Sequence, residues 1–233
     1  MITIQKLRMP LDITMTALSV ILMGGTILFP DDRVHQILGM VLIALWAVHI
    51  ALNRRWYGAI FRGRYNPYRI MQTAVNCGIL LCAVLLAVSG MMMAWFVPEM
   101  VSVPLGFART AHLVGSHWYY LFMCAHLGMH ISVIFNRIKA RRSKQTETAD
   151  TASGTTAQKI VFRVIVTLVC TYGVYAFVEC GIVKYLFFRQ PFFFFDLERG
   201  YLLFAADYLS ILALIATISH LLARALQRKK EHQ

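Results

Sequence analysis

Charge is what this chain is short of. Only 15% of its 233 residues are Asp, Glu, Lys or Arg, and the acids number just 11; soluble domains carry about 25% charged residues. A surface so poor in charge does not suit a soluble globule. The five cysteines, Cys77, Cys82, Cys124, Cys170 and Cys180, form no CxxC pair and all fall inside apolar runs. That excludes a disulfide framework and an iron–sulfur or zinc signature, and leaves buried free thiols. No Walker, Rossmann or HExxH pattern occurs, so nucleotide binding and zinc hydrolysis have no support.

What the chain has is apolar length. Hydrophobic residues make up 58% of it, in runs near the roughly 20 residues that cross a bilayer as helix. The spans predicted are 11–29, 34–53, 70–96, 109–135, 160–186 and 201–223. The first has a basic start, as a signal peptide does, but it is long for an h-region and lacks an A-x-A cleavage pattern. Asp31 or Asp32 is placed to cap the second span, and Trp56-Tyr57 beside Arg54-Arg55 marks an interface. The expected fold class is an all-α polytopic membrane protein. It comprises a four-helix bundle (1–136), a polar linker (137–159), a two-helix membrane hairpin (160–223) and a tail (224–233).

The net charge of +12 does not point to nucleic acid, because the basic residues lie between the apolar runs. Eighteen of the 23 Lys and Arg fall in the N-terminus, the second loop, the fourth loop and the C-terminus. The positive-inside rule then puts both termini in the cytoplasm. Asp31, Asp32, Glu99, Asp196 and Glu198 fall on the outer side, and Phe192 to Phe195 belong in the outer interface or against the bundle.

Two spans carry paired histidines, His35 with His49 and His112 with His126, each pair fourteen residues apart. Fourteen steps come to about 40° short of four turns, so each pair shares a helix face, its rings about 21 Å apart along the axis. An up-down-up-down bundle makes the two spans parallel, which sets His35 opposite His112 and His49 opposite His126. Imidazoles facing each other inside a membrane bundle suit b-type haem ligation, with two haems stacked across the bilayer. A macrocycle needs room, and Gly39, Gly115, Gly24, Gly25 and Gly90 are candidates to supply it. Haem propionates want cations: Arg33 and Arg109 at the outer haem, Arg54 and Arg55 at the inner.

The competing reading is that these histidines are polar contacts between helices. Four at matched spacing favour ligation, since intramembrane ionisable groups are costly and usually functional. His130, one turn beyond His126, competes with it as ligand or bonds a propionate or quinone. His117 points about 140° from His112 and reads as a helix–helix contact. His220 reads as structural, and His232 lies in the tail. Glu179 and Asp207 are either proton-release groups near an outer quinone site or paired surface acids. The twelve methionines read as core filler.

The motifs His35-x3-Gly39, His49-x3-Asn53-Arg54-Arg55-Trp56-Tyr57, Gly63-Arg64-Tyr65 with Arg69, Ser89-Gly90, Arg109-x2-His112 and His126-Leu127-Gly128-Met129-His130 resemble a bacterial family. Over residues 10–136 the chain is similar to a domain-of-unknown-function family of four-helix membrane b-type cytochromes associated with flavin-based electron transfer. Its ligand spacing is also similar to respiratory cytochrome b and ferric-reductase-like membrane domains. The resemblance implies His35, His49, His112 and His126 as ligands of two b haems, in a bacterial cytoplasmic membrane. The expected function is transmembrane electron transfer, as a cytochrome subunit of an oxidoreductase system rather than a stand-alone enzyme. The donor would be menaquinol or a cytoplasmic reductase, and the acceptor an extracytoplasmic flavoprotein or other redox partner. Against it stand two other classes: a haem-free, His-lined metal or proton transporter, and a membrane anchor subunit of a redox enzyme.

Overall fold

The computed structural model describes the backbone of residues 2–29, 31–96, 105–145, 156–194 and 200–231, and side chains within 7–25, 28–29, 31–96, 105–131, 156–194 and 200–228. Among these residues every regular element is helical. They are α1 (Ile2–Leu22), a 3-10 turn (Gly25–Leu28), α2 (Asp32–Leu52), α3 (Arg54–Ala59), α4 (Pro67–Met92), α5 (Leu105–Gln145), α6 (Thr156–Glu179), α7 (Ile182–Leu186) and α8 (Gly200–Glu231). Four of them, α2, α4, α6 and Gly200–Arg228 of α8, are long and apolar enough to cross a membrane. Their outward faces carry exposed Leu81, Val84, Val88, Val178 and Leu202, side chains suited to lipid. The protein is an all-α, multi-pass membrane protein.

Helix α5 carries His112, His117, His126 and His130. It is the central helix. It packs along α4 on one side and α8 on another, with α7 and α1 also against it. Tyr120 and Cys124 on α5 are fully buried against Tyr208 and Ile211 of α8, and the Tyr120 hydroxyl donates to the Tyr208 carbonyl. Small residues let these backbones close. A Cβ on Gly128 would stand 2.2 Å from the Ala216 carbonyl oxygen, and one on Gly173 of α6 would stand 2.5 Å from that of Ser210. Such contacts are the usual means of joining helices in lipid, where no hydrophobic driving force exists between them.

Several boundaries differ from the sequence expectation. The first span stops at Leu22 rather than continuing to Phe29, because Gly25 takes a left-handed φ of 63° that few other residues adopt cheaply. The fifth breaks at Gly181, also left-handed at φ 61°, and resumes as the short α7. The fourth does not end at Phe135. The helix continues through the basic segment to Gln145, since Lys and Arg are good helix formers. Of the expected linker 137–159, residues 146–155 lie outside the described residues, as do Pro98, Glu99, Pro104, Phe195, Asp196, Glu198 and His232.

Two caps work as their residue types suggest. Asp31 accepts from Arg33 N at 2.8 Å, and Asn66 accepts from Arg69 N at 2.8 Å with Pro67 following it. Arg69 also donates to the Ala59 carbonyl at 2.6 Å and lies over the Tyr65 ring, which fixes the α3–α4 connection. The α2 helix is the loosely held one. It packs mainly on α1, touches the 3-10 turn and α4, and makes only sparse contact with α5.

Candidate functional site

The interval between α2 and α5 holds the four spaced histidines. At one end the His35 and His112 rings face each other, centroids 6.3 Å apart and planes at 69°. At the other end, His49 and His126 line one cavity of about 340 Å³. The helices therefore run parallel, and the fourteen-residue spacing pairs the histidines in register.

Each of three histidines has its Nδ1 held by an acceptor. His49 Nδ1 lies 2.9 Å from Asp12 Oδ1, and a carboxylate only accepts, so Nδ1 carries the proton. His126 Nδ1 lies 2.7 Å from the side-chain amide oxygen Oδ1 of Asn76. His112 Nδ1 lies 3.1 Å from Ser89 Oγ, whose own proton goes to the Leu85 carbonyl at 2.6 Å, so here too the histidine donates. The three imidazoles thus share one tautomer and leave Nε2 as a free lone pair. Metal-binding histidines are oriented in this way, by giving the other ring N–H to a carboxylate, carbonyl or similar oxygen. The fourth, His35, has a buried Nδ1 without a hydrogen-bond partner.

Midway between the pairs, seven residues from both His112 and His126, sits Tyr119. Its hydroxyl accepts from Trp46 Nε1 at 3.0 Å. It donates to Ser19 Oγ at 3.1 Å, because the Ser19 proton is given to the Met15 carbonyl. This one hydroxyl ties α1, α2 and α5 into register. Trp46, Tyr119, Ile79, Leu80, Ala83 and Met123 form apolar walls of the cavity, and Trp56 and Tyr57 stand at its α3 end. Burial, reinforced by neighbouring Cys77, pushes the Tyr57 hydroxyl up from its ordinary value, so it remains a protonated donor.

The expected basic partners are placed unevenly. Arg54 opens α3, is exposed and does not line the cavity. Arg8 does line it, and its Nε is buried with no hydrogen-bond partner while Nη2 donates to the Leu52 carbonyl at 2.7 Å. Arg33 is exposed and sits over the Trp95 ring at 5.3 Å, and Arg109 is exposed at the start of α5. Gly39 has nothing within 4 Å of where a Cβ would stand, so the face beside His35 is open. His130 lines the same cavity as His126, ring centroids 4.6 Å apart.

His117 also has its Nδ1 held, by the Leu113 carbonyl at 2.8 Å. It faces no second imidazole, however, and stacks on Tyr185 of α7 at 4.3 Å; it is a helix–helix contact. Asp207 and Glu179 belong to a separate, smaller cavity between α6, α7 and α8. There the buried Asp207 accepts from the Tyr172 hydroxyl at 2.7 Å and faces the Cys180 thiol at 3.8 Å.

The donor set decides what can bind between α2 and α5. Among the described residues no group of three or more His, Cys, Asp or Glu is arranged to hold a bare metal ion. A haem iron would take its protein donors from a facing pair, one histidine from α2 and one from α5. With metal–imidazole bonds of about 2.0 Å in line, the ring centroids of such a pair stand about 6 Å apart, the observed separation of His35 and His112. The spacing of His35 and His112 is compatible with haem ligation. Asp12, Asn76 and Arg8 are members that the sequence alone does not mark, and Ser89 appears there only within a motif. The hint of two of them is an acid inside an apolar helix, with an arginine one turn before it. No protein-family model, curated protein or solved structure matches the chain.

Proposed function

We propose that the protein is a dihaem b-type cytochrome that carries single electrons across a membrane. The observation behind this is that His49, His112 and His126 each place Nδ1 within hydrogen-bond distance of a side-chain oxygen. Each also stands within a register that sets α2 imidazoles against α5 imidazoles. In this reading His35 and His112 hold one haem and His49 and His126 the other. Haem, when bound, supplies a reversible one-electron couple.

The chain's own residues do the rest. Asp12, Asn76 and Ser89 fix the ring orientations. Tyr119, Trp46 and Ser19 hold the three helices at constant spacing. Ile79, Leu80, Ala83 and Met123 keep water from the His49–His126 site. Arg8 offers an unpaired buried N–H to an anionic group there, the role expected of Arg54 from the sequence. In this reading His126 is the ligand, its Nδ1 held by Asn76 and its spacing from His112 equal to that of His49 from His35.

The charge asymmetry of the loops supports a cytoplasmic location for both termini, which makes His49–His126 the inner pair. The family resemblance supports a bacterial cytoplasmic membrane, menaquinol or a cytoplasmic reductase as donor, and an extracytoplasmic flavoprotein as acceptor. The test is a reduced-minus-oxidised visible spectrum with pyridine-haemochrome stoichiometry. Two b haems per chain are expected, falling to one in His49→Ala. Absence of haem after expression with haem supplied, or retention of both haems in the variant, refutes the proposal.

A further inference from the structure

The two histidine pairs are not held by equivalent neighbours, and the difference is one of charge. In the His49–His126 pair both Nδ1 atoms are bonded, one of them to the Asp12 carboxylate at 2.9 Å and the other to the neutral Asn76 amide at 2.7 Å. In the His35–His112 pair one Nδ1 is bonded to the neutral Ser89 hydroxyl at 3.1 Å and the other is unpartnered. An imidazole that donates to a carboxylate gains negative character and becomes a stronger donor to whatever metal it holds, which favours the more highly charged, oxidised state.

We infer that Asp12 is a positioning residue that lowers the reduction potential of the His49–His126 site below that of the His35–His112 site, so that electrons run downhill from the former to the latter. The inference rests on the dihaem reading. It concerns an equilibrium property of each one-electron couple: the donor loses one electron, the acceptor gains it, and no bond or proton need move. With the termini cytoplasmic, this direction is outward.

Among the described residues, Arg33 and Arg109 flank the His35–His112 pair in sequence but are exposed. Asp32 lies one turn before His35 but is exposed, so water screens it, and it is not bonded to the ring. Arg8 lines the His49–His126 cavity and acts against Asp12. A cation that only lines the wall acts through space, whereas Asp12 acts through the ligand itself. The Asp12 side chain is 54% exposed, which limits its influence. A tenfold change in the oxidised-to-reduced ratio is expected on its loss, about 59 mV for a one-electron couple.

Spectroelectrochemical titration of the purified holoprotein provides the test. Two resolved couples are expected, and His112→Ala, which keeps only the His49–His126 pair, must retain the lower one. Asp12→Asn preserves an oxygen acceptor but removes the charge. It should raise the lower couple about tenfold in equilibrium terms, leave the upper one in place and keep both haems. Asn76→Asp adds a carboxylate on His126 and should move the same couple down. Two haems with neither couple moved by Asp12→Asn, or a shift confined to the upper couple, overturns the inference and leaves the cytochrome intact. If Asp12→Asn sheds its haem, Asn76→Asp decides, and an unmoved lower couple in that variant overturns it. Absence of haem in the parent protein would instead refute the cytochrome reading.

Discussion

Adding a single methyl at Gly128 should loosen the whole bundle. A Cβ there would lie 2.2 Å from the Ala216 carbonyl oxygen and 2.8 Å from its carbonyl carbon and Cα. These are backbone atoms that cannot rotate away. Restoring a carbon–oxygen contact of about 3.3 Å requires α5 and α8 to part by about 1 Å. Overpacking of this kind costs about 1–3 kcal/mol, and the absence of a yielding side chain puts Gly128→Ala at the upper end. The better helix propensity of Ala returns about 0.5–1 kcal/mol. The net loss expected is about 2 kcal/mol, a factor near 30 in the folded fraction. Gly39→Ala is the matched control, with the same added methyl in a helix interior and nothing within 4 Å of it. It should stabilise the haem-free protein by about 0.5 kcal/mol. Equilibrium unfolding in detergent, followed by circular dichroism, measures both. If Gly128→Ala matches the parent, or if the two variants shift the same way, the close approach of α5 and α8 is not what joins them.

The same Gly39→Ala variant should lower haem occupancy at the His35–His112 pair while leaving the other pair filled, read as pyridine haemochrome per chain. Tyr119→Phe removes the acceptor of Trp46 Nε1–H and should cost about 1 kcal/mol, with a shift in tryptophan emission reporting the freed indole. Asp207→Ala strips the Tyr172 hydroxyl of its acceptor inside the α6–α8 contact and should cost about 1–3 kcal/mol. It should not change haem content, because Asp207 lines neither histidine pair.

The pairing of the histidines was legible in the sequence, because a fourteen-residue spacing is a statement about one helix face and needs no tertiary knowledge. The helix ends were less so. Gly25 and Gly181 break their helices by adopting a left-handed backbone, whereas Gly115, Gly128 and Gly173 sit quietly inside helices; composition does not tell these apart. The run beyond Phe135 looked like a linker because it is basic, yet Lys and Arg continue a helix readily. Asp12 and Arg8 were hidden for a related reason. A span read by hydropathy treats an acid near its end as tolerated, while the side chain's target, His49, lies 37 residues away. Arg54 neighbours His49 in sequence, yet it is exposed on α3 while α1 brings Arg8 to the cavity wall.

The thin packing of α2 bears on how such a protein is built. The set α4, α5, α7, α8 and α6 closes on itself through Gly128, Gly173, Tyr120 and Trp118, whose indole donates to the Leu186 carbonyl at 3.1 Å. The α1–α2 hairpin adds little to that closure, and segments with few contacts open at the lowest cost. The hairpin that precedes the frame in sequence is thus the part most easily opened. In the dihaem proposal it would serve as a hinged door through which a bulky, flat guest enters after the frame is complete, with the Trp46–Tyr119–Ser19 hydroxyl chain as the latch. Hydrogen exchange should find the amides of α2 the quickest of the long helices to exchange in the empty protein, and slowed once the guest bridges α2 to α5.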